Sequence, residues 1–175
     1  MPLQVGVGVA GGAESAVHVT HRLLNNLPDD HVLVKLDFKN AFNSIRRDLI
    51  LQSVAENIPE IYRFVHASLD CNSKLAFGTD TILSSEGSQQ GDPLGSLEFC
   101  EAIQQTLLSK IARISLGYID DVNLEGRVDE VARNVQAIID SSTKTGLSLN
   151  ESKCQQIFDD ETGYAAPVDV SSRLV

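Results

Sequence analysis

Three carboxylates stand where a carboxylate needs a reason to be. Asp37 falls near the end of a run dense in Val and Leu, residues 31–38 (HVLVKLDF), and a lone charge there is costly to desolvate. Asp120 and Asp121 are adjacent and lie between two apolar stretches, residues 114–119 and 122–124. Like charges held together raise one another's pKa unless a cation neutralises them. Hard oxygen donors of this kind suit Mg²⁺, which keeps several waters and accepts substrate phosphates. If the strand end at Asp37 and the strand end at Asp120-Asp121 are neighbours in one sheet, all three carboxylates converge. Two metal ions about 3.5–4 Å apart at such a site can activate an attacking oxygen and stabilise the leaving one in an in-line displacement at phosphorus. The same residues have a plainer explanation, because Asp is a common turn former and an Asp-Asp pair in a hairpin is more often structural.

The elements that must position these residues are legible from periodicity. Residues 31–38 read as a buried strand. Residues 114–119 and 122–124 are strand-like on either side of Asp120-Asp121. Helical spacing predicts helices over residues 14–26, 41–55, 61–69 and 97–111, and a strongly amphipathic one over 128–145 that Gly146 would cap in the left-handed conformation. Residues 74–77 and 81–84 predict a hairpin around Gly78-Thr79-Asp80. Residues 147–150 and 155–158 are candidate terminal strands. The expected fold class is α+β, with helices on one face of a mostly antiparallel sheet. Residues 1–158 are expected to form one unit, and residues 159–175, which lack periodicity, a loose tail.

Composition bounds the function. The chain has 175 residues, 42% hydrophobic and 22% charged, with a formal net charge of −10, as for one ordinary globular domain. No apolar stretch is long enough to span a membrane, and residues 1–10 lack the basic start of a signal peptide, so an intracellular setting is expected. Cys71, Cys100 and Cys154 are odd in number and widely spaced, which predicts buried reduced thiols rather than a zinc site or disulfide framework. His18 and His21 can share a helix face but have no nearby Cys or acidic partner. A charge of −10 argues against nucleic-acid binding by this chain alone, because duplex binders usually present a basic face to the phosphates.

Four segments, in order, change the weight of the carboxylates. Residues 37–42 (DFKNAF), 89–95 (QQGDPLG), 118–121 (YIDD), and 146–150 (GLSLN) followed by Lys153 resemble the signature motifs of the reverse transcriptase domain, and its non-LTR retrotransposon branch in particular. The opening, residues 2–24, resembles the segment just upstream in some of these elements. Together the resemblance spans nearly the whole chain up to Phe158. It implies a polymerase palm-like fold and RNA-directed DNA synthesis. Its partners would be an RNA template, a DNA primer and a dNTP, its cofactors two Mg²⁺ or Mn²⁺ ions, and its location the nucleus. Asp37 and Asp120 would be the principal metal ligands, with Asp121 completing the cluster. Phe42 would stand under the incoming sugar and exclude a 2′-hydroxyl. Gln90 and Gly91 would line the nucleotide pocket, with Phe38 and Tyr118 also at the substrate. Asp92-Pro93 would open the following helix. Lys153 would be either a proton donor to the pyrophosphate or a solvated lysine, and Lys39, Arg46 and Arg47 either phosphate contacts or an exposed helix face.

The chain departs from that pattern. Ser96 replaces a Pro, and Glu98 sits where an apolar residue is expected, so Glu98 either points outward or is buried and protonated. The fingers and thumb of the family are expected to be largely missing, which would account for the acidic balance. Three readings therefore stand open. The chain is a palm that transfers nucleotides, or a non-catalytic remnant that folds and binds metal or a partner, or another two-metal phosphoryl enzyme such as a nuclease. The last leaves QQGDPLG unexplained.

Overall fold

The run of branched apolar residues at 31–36 forms the strand on which the rest is built. In the computed structural model, which describes residues 4–70, 73–89, 91–106, 114–157 and 165–167, this strand is β1 (His31–Leu36). The other elements are α1 (Gly12–Leu24), α2 (Ala41–Ser44), α3 (Arg47–Asn57), α4 (Tyr62–Leu69), β2 (Ser73–Phe77), β3 (Asp80–Ser84), α5 (Gly95–Thr106), β4 (Ile114–Tyr118), β5 (Asp121–Arg127), α6 (Val128–Thr145), β6 (Gln155–Ile157) and β7 (Ala165–Pro167). β1 lies in the middle of a five-stranded antiparallel sheet of order β4-β5-β1-β6-β7. The expected α+β organisation is what the structure shows. Among the described residues, no helix is long and apolar enough to cross a membrane.

Strand alternation divides the sheet. Val32, Val34 and Leu36 of β1, with Val122 and Leu124 of β5, enter one core together with Ile45 and with Ile50, Val54, Val65, Phe99, Ile103, Val131, Val135 and Ile138 of the helices. Lys35 of β1 and Asn123 of β5 face each other on the opposite side, where α1 packs along β4. β2 and β3 pair as the expected hairpin, apart from the main sheet, with Leu75, Phe77, Ile82 and Leu83 each at least half exposed. Cys100 and Cys154 are buried and free, as anticipated; Cys71 lies outside the described residues.

Three expectations need correction. The helix expected over 41–55 is broken: Ile45 and Arg46 are extended, with ψ of 138° and 130°. Their backbone groups bond across the fold instead, Arg46 N–H to Thr145 O (3.0 Å) and Gly87 N–H to Ile45 O (2.9 Å). Arg47 is not on an exposed face. It is 9% exposed, and its guanidinium donates to the carbonyls of Leu69, Ser84 and Gly87 and to Ser84 Oγ. Beyond residue 158, Ala165–Pro167 form β7, which pairs with the edge of β6 and satisfies backbone groups that would otherwise be open. The remainder of 159–175 lies outside the described residues. Of the expected strand at 147–150, only an isolated bridge between Leu149 and Phe38 forms.

Glu98 points inward. It is 1% exposed, neither carboxylate oxygen has a hydrogen-bond partner, and burial, reinforced by Asp92 and opposed by Arg47, pushes its pKa to about 7. The native state thus holds a proton that the unfolded chain releases between about pH 4.5 and 7. Stability must fall as pH rises through that window and level off above it, by about 3 kcal/mol in total. Glu98→Met, of similar volume and without charge, is expected to abolish that slope in urea titrations at about pH 5 and about pH 8. An unchanged slope would show that the carboxyl is not responsible. Gly146 closes α6 in the left-handed region, φ 82°, and an added Cβ would lie 2.3 Å from Ser44 O. Gly146→Ala is therefore expected to cost about 2 kcal/mol or more, and a urea midpoint like the parent's would contradict this packing.

Candidate active site

The β1–β5 register fixes where the carboxylates meet. Its last pair is Leu36 with Val122. Asp37 follows Leu36 and Asp121 precedes Val122, so the two stand side by side at adjoining strand ends. Asp120 is next to them, in the two-residue turn between Tyr118 and Asp121, which pair across the β4–β5 hairpin. All three are partly exposed. The pKa of Asp120 is raised by burial first and then by the charges of Asp121 and Asp37, with Lys35 opposing. Two segments more than eighty residues apart in sequence are thus brought into electrostatic contact by one strand pairing.

Backbone contacts hold each side of the cluster. At Asp37, the N–H donates to Cys154 Sγ (3.5 Å), and the carbonyl accepts from Asn150 N–H (2.8 Å) and from the Cys154 thiol (3.7 Å). Lys39 N–H donates to Ser148 O (2.9 Å). The GLSLN segment and the residues after it therefore dock along the DFKNAF segment. At the hairpin, Ile119 has φ +56°, a left-handed conformation that a β-branched residue rarely adopts and that costs about 1–3 kcal/mol. The Gln4 side chain bonds both polar groups of this residue. Its Nε2 donates to Ile119 O and its Oε1 accepts from Ile119 N–H, each at 2.8 Å. Two hydrogen bonds at about 0.5–1.5 kcal/mol each are of the size needed to offset the strain.

The other residues singled out in the sequence are spread around this cluster. Tyr118 shares the face of Asp121 and lines, with Lys35, Asp121, Asn123 and one side of α1 from Ala13 to His21, a cleft of about 390 Å³. Phe38 points the other way: alternation carries its ring into the core, 4% exposed, so a substrate role for that side chain is not what its placement offers. The Phe42 ring is partly buried and stacks on Phe99 at a centroid distance of 4.6 Å. Gly91 has φ +90° with open space where a Cβ would stand. Asp92 caps a turn rather than the helix itself, its Oδ1 accepting from Leu94 N–H (2.8 Å) ahead of α5. Gly87 and Ser88 anchor that loop, donating to Ile45 O and Phe42 O (2.9 Å each). Lys153 is exposed, in the turn after Asn150. Gln90 lies outside the described residues.

Two participants were not singled out in the sequence. Lys35 Nζ stands 3.1 Å from Asp121 Oδ1, both side chains about 40% exposed. Its position two residues before Asp37 in an alternating strand was the available signal. Gln4 is 5% exposed and meets its partner 115 residues away, which no local pattern announces.

The donor set suits a hard divalent cation. Burial, and then repulsion from Asp121 and Asp37, already perturbs Asp120, and the cation paired with Asp121 is a half-exposed lysine, a pair worth only about 0–1 kcal/mol. Among the described residues, no three His, Cys, Asp or Glu side chains are grouped so as to hold a metal ion by themselves. Mg²⁺ does not require that, because it is commonly held by one or two carboxylates with water and substrate phosphates completing its shell.

Comparison with known proteins identifies the fold and the family. The apo telomerase of Candida tropicalis superposes with a TM-score of 0.65 at 14% identity, over 88% of this chain and 33% of that one. Telomerase from the same organism in complex with a TWJ fragment of telomeric RNA gives 0.63 at 15% identity, over 88% and 30%. Telomerase from Candida albicans in complex with that fragment gives 0.52 at 12%, over 93% and 34%. The chain thus spans about a third of the length of these structures, and at such identities the likeness is one of fold. No curated protein matches the sequence. The family described as "Reverse transcriptase (RNA-dependent DNA polymerase)" matches residues 8–167, nearly the entire chain, and the chain belongs to that family.

Proposed function

We propose that the chain is the palm of an RNA-directed DNA polymerase of the retroelement type, transferring a nucleotide from a dNTP to a primer 3′-hydroxyl on an RNA template. The observation that carries this reading is the convergence of Asp37 with Asp120 and Asp121 at the ends of β1, β4 and β5. Asp37 and Asp120 would hold two Mg²⁺ or Mn²⁺ ions, with Asp121 adding charge. Such ions, when bound, lower the pKa of the attacking hydroxyl and stabilise the departing pyrophosphate oxygen. The rest of the work falls to the chain itself. Phe42, steadied by Phe99, bars a ribose 2′-hydroxyl. The open approach to Gly91 admits the base and sugar. Exposed Lys153 supplies a proton or positive charge to the pyrophosphate. Membership of the family supports nucleic acid as the partner, and two of the telomerases of like fold are in complex with an RNA fragment. With a net charge of −10, the grip of this chain alone on phosphate backbones is expected to be weak.

A second reading is a folded relative that does no chemistry. It is favoured by Glu98, a carboxyl buried without a partner in the helix that follows the nucleotide loop. Calorimetric titration of Mn²⁺ with and without a dNTP separates the two. For a polymerase palm, dNTP is expected to tighten Mn²⁺ binding about tenfold or more, because triphosphate oxygens complete the metal's shell. Asp120→Asn, verified as folded by circular dichroism, should lose both the binding and the coupling. Mn²⁺ binding that is indifferent to dNTP, or unaffected by Asp120→Asn, would favour the inactive relative.

A further inference from the structure

The chain ahead of α1 has no part in the chemistry described so far, yet it touches the catalytic hairpin at its most strained residue. We infer that Gln4, seated with Gly6 against the β4–β5 turn, is a positioning residue that sets the backbone of Ile119 and so aims Asp120. The inference rests on the proposed reading of Asp120 as a cation ligand.

Three observations support it. The first is the chemistry of the contact. A single carboxamide takes both the N–H and the C=O of Ile119 while Gly6 N–H also donates to its Oε1 (2.9 Å). Because two N–H groups point at one atom and a carbonyl at the other, only one orientation of the amide satisfies all three. Neither an apolar side chain nor a carboxylate offers both a donor and an acceptor. The second is fit. A Cβ on Gly6 would lie 2.6 Å from Ile119 N, 2.7 Å from its Cγ1 and 2.9 Å from Gln4 Oε1. Glycine is therefore what lets the segment approach the turn. The third is anchorage. Gln4 bridges to Gly117 in parallel, Val5 N–H donates to Gly117 O (2.8 Å), and Gln4 N–H reaches Gln104 Oε1 on α5 (3.3 Å). The segment is thus tied to β4 and to the helix below it before its side chain meets the turn. Ile119 immediately precedes Asp120, so its left-handed φ of 56° decides where the carboxylate is directed. With Gln4 removed, the turn is free to relax toward a conformation that isoleucine prefers, carrying Asp120 away from Asp37.

The test uses Mn²⁺ as the probe and two readouts on the full chain: calorimetric affinity, and hydrogen exchange of the Ile119 amide, which needs no cation. Gln4→Leu and Gly6→Ala are expected to weaken Mn²⁺ binding about tenfold or more, as loss of a partner behind a metal ligand commonly does, and to expose the Ile119 amide to exchange. Ile119→Gly added to Gln4→Leu should recover affinity, because glycine adopts the left-handed region without help. A merely structural role would not produce that rescue. Gln4→Glu, which keeps the acceptor and loses the donor, serves the same comparison if Gln4→Leu does not fold. A folded Gln4 variant with parental Mn²⁺ affinity and a protected Ile119 amide would overturn the inference. So would a loss of affinity that Ile119→Gly leaves in place. If the parent chain itself binds no Mn²⁺, it is the polymerase reading that fails, and the exchange of the Ile119 amide alone then decides whether Gln4 sets the turn.

Discussion

The candidate site depends on one strand pairing. Pairing β5 with β1 in the observed register places Asp37 beside Asp121 and Asp120, where burial first, and then the charges of Asp121 and Asp37, raise the pKa of Asp120. Nothing in the core requires it: Val32, Val34, Leu36, Val122 and Leu124 would pack equally well above a neutral strand end. What the chain provides against it is modest. Lys35 pairs with Asp121 at 3.1 Å, but with both groups about 40% exposed the pair is worth about 0–1 kcal/mol and screens with salt. On the proposed reading, a divalent cation would supply the charge that Lys35 does not.

The backbone on each side of the carboxylates is held by remote parts of the sequence, through the Cys154 and Gln4 side chains and the Asn150 main chain. Cys154 and Asn150 bond the Asp37 peptide, and Gln4 bonds Ile119. Both braces act on the main chain rather than on the carboxylates, whose oxygens meet Lys35 at Asp121. Cys154 is suited to this role because it is fully buried and its thiol pKa is raised, chiefly by burial, so it remains a neutral donor and acceptor. The same logic extends to the polar loop, where Gly87 and Ser88 dock on the carbonyls of Ile45 and Phe42. The break between α2 and α3 is what makes the Ile45 carbonyl available. An uninterrupted helix over 41–55 would have consumed it.

Much of this was legible in the sequence, and the parts that were not have a common cause. Amphipathic periodicity carried α6 and its left-handed Gly146 cap, and alternation with turn residues carried the β2–β3 hairpin. The ordered motifs carried the family, whose match runs over residues 8–167. Periodicity failed at Ile45-Arg46, where hydrogen bonds to Thr145 and Gly87 outweigh helical propensity. Arg47 looked like a surface cation, but its partners Leu69, Ser84 and Gly87 are 22 to 40 residues away. At Ile45-Arg46 and at Arg47 the deciding partner is distant in sequence, so no local window contains the reason. Glu98 is a different case. Its sequence posed the question of burial, and only the packing of α5 against α3 answered it.

The central claim is that Asp37 and the Asp120-Asp121 pair form one cation site made by strand pairing. Anomalous scattering from Mn²⁺-soaked crystals tests it most directly. The reading predicts anomalous peaks between the end of β1 and the β4–β5 turn, with Lys35 withdrawn from Asp121. Well-ordered crystals with no peak there, or with Mn²⁺ bound only elsewhere on the acidic surface, would contradict it.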